Sequence, residues 1–120
     1  MSRRYLSTTE AEFALQRGKT VEVFLGGFLA HGQKCIRWAS FNNRGAEVEG
    51  QLWESIDQGS EDYVDIYTFE SLSSEYDEPV RVEVAENIEL AASKLGIEEF
   101  KFVNQGVVQD EYISYLRAGT

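Results

Sequence analysis

The single histidine and the single cysteine of this chain lie close together, in His31-Gly-Gln-Lys-Cys35. Such a pair does nucleophilic chemistry when thiolate and base are within hydrogen-bond reach and a third group orients the base. Here a glycine turn carries His31, and Cys35 opens an apolar run with Ile36 and Trp38, the setting of a small core residue. Gly18-Lys19-Thr20 has the ending of a phosphate loop, but Phe13 stands where the first glycine is required and no strand precedes it. Asp57, Glu61, Asp62 and Asp65 are dense enough to suggest calcium, yet their spacing does not match the alternating ligands of a calcium loop. Among 21 acids some pairs always arise, but glycoside hydrolysis needs a larger cleft than a domain of this size offers. Glu22, Glu47, Glu49 and Glu83 read as outward strand positions on a solvated face. One cysteine and one histidine leave no conventional zinc site, so neither metal nor cofactor is expected.

The strongest signal is residues 59–79, GSEDYVDIYTFESLSSEYDEP. This stretch has seven carboxylates, four aromatic rings and no Lys, Arg or His. Read as a strand, Tyr63, Asp65, Tyr67 and Phe69 share one face and Val64, Ile66 and Thr68 the other. The first set is then an aromatic row on an open sheet face, and the flanking acids set the charge of whatever it meets. The candidate binding residues are Glu61, Asp62, Tyr63, Asp65, Tyr67, Phe69, Glu70, Glu75, Tyr76, Asp77 and Glu78. The competing readings are the wet outer side of a sheet, or a row that becomes core because helices cover both faces.

Charge supports a binding role. The net charge is −10, with +4 over residues 1–44, −13 over 45–90 and −1 over the last thirty. Such a field repels nucleic acid and anionic membrane and speeds encounter with a basic partner. The 120 residues suit one domain, and 42% hydrophobic with 27% charged residues is a globular composition. No run is long enough to cross a bilayer, and MSRRYLSTTEAEF lacks the apolar stretch of a secretory signal, so a cytoplasmic location is expected.

These residues need positioning elements. Thr9 with Glu12 reads as a capping box opening a helix that stops at Gly18. TVEVFLGGFLA, KCIRWASF and AEVEGQLWESI read as strands, with a bend at Gly26-Gly27 and a hairpin turn at 42–45. Tyr63–Phe69 is expected as a fourth strand and VRVEV as a fifth, with Val80, Val82 and Val84 inward. Asn87 caps a helix with Ile88, Ala91, Ala92 and Leu95 on its apolar face. EEFKFVN is a short sixth strand, and Asn104 caps a last helix with Val108, Tyr112, Tyr115 and Leu116 on one stripe. The expected fold is a single α+β domain over 1–120. Its curved, mainly antiparallel sheet of five to six strands has an N-terminal helix and two C-terminal helices, gathered on one face.

A small acidic α+β protein with the Glu61–Glu78 run and the Gln109-Asp110-Glu111-Tyr112 segment resembles bacterial immunity proteins of contact-dependent and polymorphic toxin systems. The resemblance implies a non-catalytic inhibitor that binds a basic toxin domain, such as a nuclease, through its acidic-aromatic surface. The alternatives are a nucleic-acid mimic that inhibits a defence complex, and a small enzyme or ligand-binding protein. The latter's pocket would use Trp38, Trp53 and tyrosines, with His31 or a buried acid as base.

Overall fold

The computed structural model describes residues 5–72 and 78–118. Helix α1 (Thr8–Gln16) is opened by Ser7, whose hydroxyl accepts from Glu10 N (3.1 Å) while the Glu10 carboxylate accepts from Ser7 N (2.9 Å). This is a capping box, two residues upstream of the expected one. Glu12 instead reaches across the fold and accepts from Ile88 N at 2.6 Å, at the start of α2 (Ile88–Lys94). Asn87 caps α2 as expected, accepting from Leu90 N.

Strands β1 (Val21–Ala30), β2 (Gln33–Arg44) and β3 (Glu47–Ile56) form an antiparallel meander. β4 (Arg81–Ala85) pairs with β3, and the two-residue β5 (Val103–Asn104) pairs with the start of β1, giving the order β4-β3-β2-β1-β5. His31 and Gly32 turn β1 into β2 with φ of 52° and 78°, as a type I′ turn requires. Leu25 is the extra residue of a bulge between Phe24 and Gly26, and Gly26 at φ 94° supplies the bend.

Alternation along these strands builds two cores. Val21, Val23, Ala39, Phe41 and Leu52 face α1 and α2, where Leu15, Ile88 and the alanines complete a first cluster. Ile36 and Trp38 face the other way and pack with Ile66, Phe69 and the Val108 and Tyr112 of α3 (Val108–Ala118). The helices therefore cover both faces, not one. The reason lies in the residues of β2: apolar side chains occupy both parities of 35–41, so each face needs a cover.

Two strand expectations are corrected. Residues 63–69 form no strand; they run across the second face as a loop with one turn of 3-10 helix at Ile66–Thr68. β4 already occupies β3 along 48–52, leaving only 54–56 for this segment. Its return at Glu70–Leu72 takes that place, with Ile56 N and Leu72 N donating to Glu70 O and Glu54 O, each at 2.9 Å. Buried Ile66 and Phe69 then recur at three residues, the period of the turn. In β4 the alternation is kept but its faces are exchanged. Ala85 pairs with Val48 and enters the first core, while Val80 and Val82 are 38% and 46% exposed. A one-residue register choice reverses every side chain, and the entry into α2 sets this one. Asn104 is also reassigned: it lies in β5 opposite Val21, not at the cap of α3.

Gly59 anchors the crossing loop. A Cβ there would lie 2.6 Å from the Phe69 ring and from the Tyr63 carbonyl oxygen, and would also strike the Tyr112 hydroxyl. Gly59→Ala should therefore lower stability by roughly 1–3 kcal/mol through overpacking. Urea denaturation checks this; an unchanged midpoint would show that the loop is not held against α3.

Candidate functional site

The centre of the second face is aromatic. Trp38 and Trp53 are cross-strand neighbours with stacked rings, centroids 5.4 Å apart and planes 16° from parallel. Tyr67 stands edge-on to Trp38 at 5.2 Å and 82°. Trp53 Nε1 donates to Ser40 Oγ at 3.0 Å. Trp38 Nε1 is the one buried side-chain polar atom without a partner among the described residues. Such an orphan costs about 1–3 kcal/mol, and the ring contacts offset it.

Beneath Tyr67 lies Glu22, which is 1% exposed and not the solvated residue expected from its strand position. Its Oε1 accepts from the Tyr67 hydroxyl at 2.7 Å and from Gly106 N at 2.9 Å. Burial raises the Glu22 carboxyl above its ordinary 4.5, and the two hydrogen bonds oppose that only in part. Burial and the adjacent carboxylate also push the Tyr67 phenol above its ordinary value. One signal in the sequence marks this position: Glu22 lies in the same strand parity as Phe24, on the face that α3 covers.

The acidic run divides. Asp57 accepts from the Tyr112 hydroxyl, Asp65 from Gln109 Nε2 at 3.2 Å, and Glu61 pairs with Arg117 at 2.7 Å. One side of α3 thus gathers two of the segment's carboxylates, Glu61 and Asp65, and Asp57 just upstream of it. Asp62, Glu70 and Glu78 are exposed to solvent. Tyr63 and Tyr67 are 46% and 40% exposed, whereas Phe69, at 5%, belongs to the core. The candidate residues Glu75, Tyr76 and Asp77 lie outside the described residues. The structure therefore brings together Asp62, Tyr63, Tyr67 and Glu70 on one crossing loop, sets Tyr67 beside Trp38 and Trp53 as the pocket alternative expects, and adds Glu22, expected on a solvated face.

The other candidate chemistries separate. Cys35 is fully buried, its Sγ against the Gln33 carbonyl at 3.6 Å, and His31 is exposed at the hairpin turn. No group of three metal-ligating side chains occurs among the described residues. A groove of about 630 Å³ lies beside α1 and includes Phe13, Arg17 and Lys19, away from the acidic loop. No helix among the described residues is long and apolar enough to cross a membrane.

The chain matches no family model, no curated protein and no solved structure. A functional reading must then come from the site itself.

Glu22 supplies a test of this geometry. With its folded value above 4.5, the native state keeps a proton that the unfolded chain has released. Its contribution is complete below the unfolded value and is lost as pH rises through the folded one. Glu22→Gln keeps an oxygen able to accept both hydrogen bonds but does not titrate. Urea midpoints of variant and wild type, measured from about pH 4 to about pH 8, should diverge in the variant's favour as pH rises. A difference independent of pH would mean that Glu22 titrates as an ordinary surface carboxylate.

Proposed function

We propose that this chain is a non-catalytic binding protein that neutralises a basic protein, in its most concrete form an immunity protein that inhibits a cognate bacterial toxin. The observation that carries the reading is the crossing loop. It presents Asp62 and Glu70 to solvent beside two half-exposed tyrosines, and it is held from below by Gly59, Ile66, Phe69 and the Tyr67–Glu22 hydrogen bond. A binding loop fixed before encounter loses little conformational freedom on association. The net charge of −13 over residues 45–90 would steer a basic partner to it.

The anchoring of Asp57, Glu61 and Asp65 by α3 weighs against a nucleic-acid mimic. Carboxylates bonded to their own helix hold a loop in place; they do not form a phosphate-like row. A pocket-bearing ligand binder is favoured by one observation, a cavity beside Trp38, Trp53 and Tyr67. The buried acid, Glu22, does not line it, so a proton-transfer role for that residue is not part of this reading.

The test is affinity capture from the source cell with the toxin locus expressed, at low and then moderate salt. The expected result is one basic protein retained stoichiometrically, whose own activity is blocked when the chain is added back. Retention of salt-labile material alone would overturn the reading. Against the captured partner, the double variant Asp62→Lys with Glu70→Lys should associate about tenfold more slowly at low salt, and the difference should shrink as salt rises. Unchanged association kinetics would remove the crossing loop from the interface.

A further inference from the structure

Between the end of β3 and residues 66–71 lies a cavity of about 200 Å³. Its walls are mainly aromatic: Trp38, Trp53, Tyr67 and Phe69, with Ser55 and Ser71 adding hydroxyls. The two indoles are nearly parallel and Tyr67 closes on Trp38 at close to a right angle. Walls of this kind take either a neutral apolar group or a cation, because aromatic faces carry negative charge density.

Charge decides between them. There is no Lys or Arg from residue 45 to residue 80, and Asp65 and Glu70 flank the cavity-lining Ile66 and Ser71 in the chain. The Tyr67 hydroxyl donates to the Glu22 carboxylate, which increases the electron density of the ring. A positive group entering here gains both the ring faces and the field of the loop. Guanidinium is planar, weakly hydrated and able to stack on indole; the lysine ammonium is more strongly hydrated and lacks that plane. The same contact already occurs within the chain, where the Arg37 guanidinium lies 4.3 Å over the Phe28 ring.

The geometry points to this cavity as the receptor for an arginine side chain of the basic partner, an inference that rests on the binding role proposed above. The cavity then supplies the specific anchor, while Asp62 and Glu70 supply the approach. A buried arginine in an aromatic pocket is the kind of contact that sets the dissociation rate.

Both tryptophans of the chain line the cavity, so intrinsic fluorescence reports its occupation directly. The full chain would be titrated with N-acetylarginine methylamide and, separately, with N-acetylcitrulline methylamide, which has nearly the same shape and no charge. The arginine probe should give a saturable change, and the citrulline probe should bind at least about tenfold more weakly. Trp53→Phe should weaken the arginine response, with Trp38 remaining as reporter and circular dichroism confirming the fold. No saturable change, equal binding of the two probes, or an arginine response unaltered by Trp53→Phe would each overturn the inference. If the arginine probe binds and no basic protein is captured, the cavity assignment stands and the neutralising role falls. If a basic protein is captured and the arginine probe leaves the indoles unchanged, the role stands and the cavity assignment falls.

Discussion

One carboxylate, Glu22, joins three parts of the chain that are far apart in sequence. It belongs to β1, accepts from Tyr67 on the crossing loop, and accepts from Gly106 just before α3. The Asp57–Tyr112, Asp65–Gln109 and Glu61–Arg117 contacts tie the loop to α3, and Glu22 adds the tie from the loop and the approach to α3 down to the sheet. Burying a carboxylate is unfavourable, so the bonds are what make its position tolerable. Burial raises its proton affinity, which couples the seating of the loop to pH.

The second face is consequently a different kind of surface from the first. The first core is built mainly from aliphatic residues and alanines under two short helices, with Phe41 and Phe102 meeting edge to face within it. The second is built from rings, with hydroxyls and carboxylates threaded among them. Beside the Trp53–Trp38–Tyr67 group, Phe24, Phe69, Tyr112 and Tyr115 form a second group of ring contacts that reaches α3. Aromatic packing of this kind holds a loop in a defined place without regular backbone pairing. The loop then carries exposed acids and tyrosines on its outer side.

This division also explains the fate of the acidic run. A stretch with seven carboxylates and no base suggests a uniformly charged surface, but a loop packed on a sheet must be fastened somewhere. Tyr112, Gln109 and Arg117 of α3 provide the donors, and Asp57, Asp65 and Glu61 turn toward them. Asp62, Glu70 and Glu78 face water. Charge in this segment is thus divided between carboxylates that anchor the loop and carboxylates left in solvent.

The α+β class, the antiparallel meander, the Asn87 cap and the apolar faces of α2 and α3 were legible in the sequence, as was the hairpin after β2, although its turn falls at Gly45-Ala46 and residues 42–44 continue the strand. Each is set by neighbours within a few residues: alternation, a capping side chain, a glycine at positive φ. The face assignment of VRVEV, the loop conformation of 63–69 and the burial of Glu22 were not. Val80, Val82 and Val84 alternate correctly, but which side of the sheet they meet depends on pairing with β3, a strand some thirty residues earlier. Tyr63–Phe69 has strand-forming residues, yet the edge of β3 that would receive it is already taken by β4. Glu22 alternates like a surface residue, and only the arrival of α3 and the crossing loop encloses it. Local periodicity determines which elements form and which side chains share a face. What covers that face, and hence whether a tyrosine, a tryptophan or a carboxylate becomes core, cavity wall or binding surface, is decided by contacts that exist only once the chain has folded.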